Sequence, residues 1–290
     1  MTTTNSLRIE RSGPVARVWL DRPEVRNALN GALIRELAAA FASLAADAGG
    51  VRAIVLGGSG KAFCAGADLA FMREVGAYTW EQNRADAEVL AEMLWSMYRC
   101  PIPVVARIHG DCYAGGLGIA SVCDIRVAAD VATFCLSEAR LGLLPATISP
   151  YVVRAMGEQA ARRYFVTAER FGAAEAKAMG FAHEVCATDE LDAKVDAIVA
   201  AIVGNGPMAT RACKQLVHDV AGREITPELR AETAQRIADI RASAEGKEGV
   251  QSFLDKRKPE WLAPTPAADA AALPPEGARP GLGRPGARPG

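Results

Sequence analysis

The sequence predicts an α/β protein with a helical C-terminal third, and three observations predict it. Short apolar or alternating runs recur through the first half, each leading into a segment with helical periodicity. The stretches between them are rich in glycine, proline, asparagine and aspartate, the residues of turns. From Ser149 onward the pattern is almost wholly helical. Repeated β then α units, each too short for a core of its own, imply stacked strands with helices packed outside.

Taken in order, residues 15–20 alternate apolar and polar as a strand does, and the turn chemistry of DRPEVRNALN leads into a helix over 31–46. Residues 53–56 form a short apolar β run, followed by the loop KAFCAGAD. A helix over 84–98 precedes a buried strand over 103–108, the glycine-rich loop GDCYAGG opens another helix, and 125–128 returns to strand. Helices are then expected at 150–156, 160–167, 173–179, 191–203, 207–220, 227–244 and 250–256. Ser149 and Pro150 read as N-cap and first helical residue. From about Leu262 the chain is built of Ala, Pro and Gly; such a tail cannot offset its ordering entropy and is expected to be disordered. The expected organisation is a core over 5–200, a helical C-terminal region over 201–261 and the tail over 262–290.

Half of the 290 residues are hydrophobic, enough for a sizeable core. The 33 basic and 34 acidic side chains nearly cancel, removing the electrostatic footprint of nucleic-acid or membrane-surface binding. No run approaches the ~20 apolar residues of a membrane span, and MTTTNSLRIE lacks the apolar core of a secretory signal, so a cytoplasmic location is expected. Seven cysteines, at 64, 100, 112, 123, 135, 186 and 213, form no CxxC pair and read as buried hydrophobes in a reducing compartment. The histidines at 109, 183 and 218 show no ligand spacing, and no metal is expected.

Two familiar explanations of the glycine loops fail. A phosphate-cradling GxxxxGK loop requires Ser or Thr after Lys61, where Ala62 stands, and a glycine where Val55 stands. A dinucleotide fingerprint begun by Gly116 and Gly118 meets Ser121 in place of its third glycine. What remains is a shared design: KAFCAGADL and GDCYAGGLGI each follow an apolar strand and place small residues just before a helix start. Two backbone N–H donors from such ends converging on one oxygen make an oxyanion hole; the plain alternative is a pair of tight turns. His109 and Cys112, three apart, raise the further alternative of a cysteine nucleophile.

VARIHGDCYAGGLGIASVCDI, with DRPEVRNAL, KAFCAGADL, LSEARLGLLPA and FLDKRKPEW in order around it, resembles the crotonase (enoyl-CoA hydratase/isomerase) superfamily across roughly residues 8–261. The resemblance implies a crotonase-type β-β-α spiral core with a helical C-terminal trimerisation region. It also implies a trimer or dimer of trimers and an acyl-CoA thioester substrate, with no cofactor beyond the CoA of the substrate. Carried onto this sequence, it makes Ala67 and Gly115 the two oxyanion-hole donors. Asp68 and Leu69 then flank the pantetheine arm, Val25, Arg26 and Ala28 line the adenine side, and Gly116 joins the substrate-binding residues. Lys256 becomes a basic residue reaching a CoA phosphate, on its own or a neighbouring subunit; its alternative is a solvated helix end.

The resemblance further makes Glu138, in LSEARLGL, the general acid or base. Two-carboxylate hydratases carry a second glutamate where this chain has Gly118, and a single glutamate is the pattern of enoyl-CoA isomerases. DCYAGGLGIASVCDI, SEARLGLLPATISPYVVRAMG and RRYFVTAERF are nonetheless most similar to the bacterial methylglutaconyl-CoA hydratase group, of leucine and related isoprenoid degradation, in which that loop lacks the glutamate. The expected function is therefore hydration of a 2-enoyl-CoA, methylglutaconyl-CoA or a related branched acid. The alternatives are a single-glutamate isomerase and a non-catalytic acyl-CoA or RNA-binding protein. Asp111, Cys112, Tyr113 or a second water held by Glu138 are the candidates for a second proton carrier. The Ser149 helix end, with Thr147 or Tyr151, is expected to meet the remote group of the substrate.

Overall fold

The structure, a computed structural model, describes residues 6–47 and 50–262. The expected disorder of the tail concerns positions that, Leu262 apart, lie outside the described residues.

Two sheets lie at the centre. The larger runs β1 (Leu7–Ser12), β2 (Val15–Leu20), β3 (Ala53–Gly58), β5 (Val104–Ile108), β7 (Ile125–Ala129) and β10 (Glu184–Cys186). Only the β1–β2 hairpin, which turns at Gly13 with φ +54°, is antiparallel. The smaller sheet runs β4 (Ala62–Cys64), β6 (Asp111–Tyr113), β8 (Thr133–Cys135) and β9 (Arg170–Gly172). Three times the chain lays a strand in the large sheet, continues at once into the small one, and returns by helices. The units are β3–β4 followed by α2 (Leu69–Val75) and α3 (Trp80–Tyr98), β5–β6 followed by α4 (Gly115–Ser121), and β7–β8 followed by α5 (Ser149–Met156) and α6 (Glu158–Thr167). This is the β-β-α spiral that the resemblance implies.

Burial explains the strand reading. β3, β5 and β7 are largely covered on both faces and read as apolar runs, broken only by Arg107 in β5 and Arg126 in β7. One face joins the main core with α1 (Gly31–Ala46), which buries Leu33, Ile34, Leu37, Phe41 and Leu44 and is capped by the Asn30 side chain accepting from Leu33 N. On the other face, Ala53, Val55, Val105 and Val127 pack against Leu191, Val195 and Val199 of α8 (Leu191–Gly204). The expected division at 200/201 therefore falls inside a helix that belongs to the sheet; the chain leaves the core at the Asn205–Gly206 turn. β1 escapes sequence reading because LRIERS turns charges to solvent as an edge strand. The stretch after 149 also holds β9 and β10, three residues each, too short to show a period.

α7 (Ala173–Ala178) and the C-terminal helices α9 (Pro207–Val220), α10 (Pro227–Ala242) and α11 (Ala244–Leu254) complete the described chain. The helix expected at 250–256 thus begins at Ala244, where Ser243 caps it through Gly246 N. The Glu245 carboxylate accepts from Met208 N and Ala209 N, closing the start of α9 from α11. Lys214 ties α9 to the core: its buried ammonium donates to Asp124 Oδ2 at 2.7 Å and to Ile102 O at 3.2 Å. Among the described residues no helix is long and apolar enough to cross a membrane. Replacing Lys214 with Met is expected to cost about 1–3 kcal/mol, since it strips a partly exposed Asp124 of its counter-ion. Urea denaturation checks this through a lower midpoint at unchanged slope.

Candidate active site

The 22–30 loop, first in the chain, is stitched by the buried Asn27 side chain and by backbone onto the KAFCAGADL segment, which carries the first candidate donor, Ala67. Asn27, fully buried at φ +57°, accepts from Arg22 N at 2.9 Å and donates to Ser59 O and Ala62 O, each at 2.8 Å. Ala65 N donates to Arg26 O at 3.0 Å. Leu29 then forms a one-residue parallel bridge with Ala67: Leu29 N donates to Gly66 O at 2.7 Å, and Asp68 N donates to Leu29 O at 2.8 Å. In that pattern the bonds to Leu29 come from the residues flanking Ala67, so the N–H of Ala67 itself is directed away from the bridge. Asp68, buried, caps α2 through Ala70 N and pairs with Arg22 at 2.7 Å; the guanidinium holds its carboxyl below the usual range.

The segment carrying the second candidate donor, Gly115, arrives from β6. Ala114 has φ +48° and ψ −118°, a conformation that favours glycine, and is held in it by donating to Cys135 O at 2.8 Å. The next residue, Gly115, opens α4, where its N–H has no acceptor within the helix. Close packing joins the two loops. A Cβ on Gly66, at φ +95°, would lie 3.1 Å from Ala114 Cβ, and one on Gly115 would lie 2.7 Å from Leu29 Cδ1. Gly116 is as confined, with Cys64 O at 2.5 Å from any Cβ. Ala67 and Gly115, 48 positions apart in sequence, thus both adjoin Leu29.

Cys135 also starts the approach to Glu138. Three residues after its carbonyl anchors Ala114, the chain enters a 3-10 turn over Glu138–Leu141, closed by Gly142 at φ +70°. The Glu138 carboxyl has one oxygen, Oε2, buried with no hydrogen-bond partner, and burial raises its pKa. A buried acceptor without a donor is costly, and such a group is kept where it has chemistry to do.

Two backbone donors at helix starts and a desolvated carboxyl are the parts needed to stabilise an enolate and move a proton. Residues 10–264 match the family model described as enoyl-CoA hydratase/isomerase. The chain belongs to the enoyl-CoA hydratase/isomerase family. An enoyl-CoA hydratase structure from Shewanella pealeana is 38% identical, with a TM-score of 0.85, covering 88% of this chain and 96% of that one. An enoyl-CoA hydratase of Alternaria alternata is 34% identical over 255 residues, 84% of this chain and 80% of its own length. A crotonyl-CoA hydratase of Syntrophomonas wolfei is 29% identical over 255 residues, 88% of this chain and 96% of its own.

The other family positions are spread more widely. Val25 and Arg26 sit on the accessible rim of the first loop, and Leu69 is 72% exposed at the start of α2. Ala28 is buried, so only its backbone is available, and its carbonyl already accepts from Arg22 Nη1. Lys256 stands exposed in the turn after α11, at φ +54°. Ser149 is not an N-cap: Ile148 precedes the helix, and the Ser149 hydroxyl donates back to Ala146 O at 2.7 Å. Cys112 is fully buried with its thiol pushed well above the ordinary range, which removes both the nucleophile and the proton-carrier readings. Asp111 and Tyr113 are engaged with each other and with the Thr133 hydroxyl. Among the described residues no cluster of three or more His, Cys, Asp or Glu is placed to hold a metal. Sequence reading missed Asn27, Leu29 and Ala114, which carry no chemistry; the one available signal was the turn-rich RNAL.

Because folding raises the Glu138 pKa, its contribution favours the folded state below the ordinary carboxyl pKa near 4.3 and is lost as pH rises through the raised value. Glu138→Gln is therefore expected to melt a few degrees above the wild type at pH 7, with the difference vanishing towards pH 4. Thermal denaturation of both proteins across that range checks it.

Proposed function

We propose that the enzyme hydrates a 2-enoyl-CoA thioester with Glu138 as its single proton-transferring carboxyl. Ala67 N–H and Gly115 N–H hold the thioester oxygen. Ionised Glu138 takes a proton from water as the water oxygen bonds to Cβ; the Cα=Cβ electrons move into the thioester, giving an enolate that the two N–H groups stabilise. Glu138, now protonated, returns that proton to Cα, leaving a 3-hydroxyacyl-CoA and a regenerated carboxylate. The observation that carries this reading is the partnerless, desolvated oxygen of Glu138 on the segment anchored to the Gly115 loop. The hydratase names of the relatives favour it over isomerisation.

For the acyl group we propose a branched chain ending in a carboxylate, methylglutaconyl-CoA or its like. The proposal rests on the resemblance of SEARLGLLPATISPYVVRAMG and its neighbouring segments; a groove of about 900 Å³ between α5 and α9, at the end of α4 away from Gly115 and not lined by Ala67, Gly115 or Glu138, carries Arg99, Arg154 and Lys214, the last already paired with Asp124. Tyr98, Tyr151 and Trp95 supply its apolar wall. Arg154, on the solvent side of α5, donates to Pro150 O through Nη1 and keeps its other donors available. The exposed Met208, Val217, Phe253 and Leu254 on the C-terminal helices further support a homotrimer or dimer of trimers.

Glu138→Gln is expected to lower hydration by about 10²–10⁴-fold while calorimetric binding of an acyl-CoA product stays within a few-fold of wild type. Assaying wild type on crotonyl, 3-methylcrotonyl, methylglutaconyl and 3-enoyl thioesters separates the readings: fast conversion of the 3-enoyl thioester alone makes it an isomerase, and inertness on all four makes it a binding protein. Arg154→Gln is expected to lose roughly tenfold in kcat/KM on the glutaconyl thioester and little on crotonyl-CoA. Equal losses on both would exclude Arg154 as the carboxylate partner.

A further inference from the structure

Gly118 lies three residues after Gly115 on α4, hence on the same side of the helix as the donor that opens it. It is buried, and the space a side chain would need is taken. A Cβ built on Gly118 would overlap Ile148 Cγ2 and lie 2.8 Å from Ile148 Cβ. The obstruction is the branch point of a stiff side chain, not a flexible tip. Ile148 is itself 3% exposed and fixed at the start of α5, its carbonyl accepting from Tyr151 N and Val152 N at 3.1 and 3.0 Å.

We propose that Gly118 and Ile148 are one coupled unit, in which Ile148 occupies the volume of a side chain at 118 and thereby holds the site to a single carboxyl. The proposal rests on the hydratase reading and deepens it. The absence of a glutamate at 118 is then more than the loss of a group, because the vacated space has been filled with hydrocarbon. A carboxylate cannot be restored there by one substitution, since it would be both overlapped and desolvated. Ile148 is a positioning residue in this scheme: it excludes a second carboxylate and any water that would accompany it, so that Glu138 carries the proton in both directions.

A four-protein cycle on the full chain tests this: wild type, Gly118→Glu, Ile148→Ala and the double variant, each followed by thermal unfolding without substrate and by hydration of crotonyl-CoA. Gly118→Glu is expected to unfold well below wild type, from overpacking and a buried charge, and Ile148→Ala to fall less, from the cavity it leaves. The double variant is expected to melt at least about 5 °C above the value obtained by adding the two single shifts. It is also expected to hydrate crotonyl-CoA about tenfold faster than Gly118→Glu alone. Should Gly118→Glu fail to fold, Gly118→Ala takes its place in the melting cycle with the same expected sign of coupling, and the double variant is then compared with Ile148→Ala for rate. Single shifts that simply add overturn the proposal, as does a double variant no faster than its single-variant reference. Strong coupling in melting with a wild type inert on every enoyl thioester would overturn the hydratase reading instead.

Discussion

Two backbone hydrogen bonds, Leu29 N to Gly66 O and Asp68 N to Leu29 O, hold the centre of this enzyme together. They make Leu29 the residue against which both donor loops are built, since its backbone fixes the direction of the Ala67 N–H and its side chain packs on Gly115. The bridge needs the 22–30 loop to lie flat on the 59–68 segment, which the three side-chain bonds of buried Asn27 arrange. Backbone donors have an advantage here. They present a fixed partial charge with no side-chain rotamer to order, so their positive character is available before any ligand arrives.

Glu138, on the segment that follows Cys135, has one oxygen withheld from solvent and from any partner. The arrangement opposes stability, because the ionised form lacks the hydrogen bonds that water would give it, and burial accordingly raises its pKa. The surrounding structure absorbs the cost in well-packed layers: α1 and α3 on the inner face of the large sheet, α8 on the outer. Strain is confined in the same way. Ala114 is held at positive φ by the carbonyl of Cys135, on the strand that leads to Glu138, so a bond that maintains one donor also places the carboxyl segment.

The candidate site residues could be proposed from the sequence because each sits beside a local signal. Ala67 and Gly115 lie among small residues just before helix starts, and Glu138 opens a segment in family register. The spiral came from that register and the large-sheet strands, whose two-sided burial leaves apolar runs. What escaped was set by contacts between distant segments. The three-residue strands of the small sheet are too short for periodicity, Leu29 is a single residue in a bridge, and Ile148 gains meaning only when α5 is laid on α4. Ser149 misled for a related reason: Ser-Pro resembles a cap and first turn, but the hydroxyl turned back to Ala146.

The cationic groove is walled by two parts of the chain with different duties. On one side stand α4 and α5, which also carry the Gly115 donor and the Gly118–Ile148 contact; on the other stands α9, fastened by Lys214 and closed at its start by Glu245. Cys213 and Val217 of α9, and Ala221 just after it, line the groove and take no part in the loops that carry Ala67 and Gly115. Changes at those three positions can therefore reshape or re-charge the groove while the Leu29–Ala67 bridge and the Ala114–Cys135 hydrogen bond stay as they are. The fold thus keeps the shape of that groove separate from the hydrogen bonds that fix the two loops, so that one can vary without loosening the other.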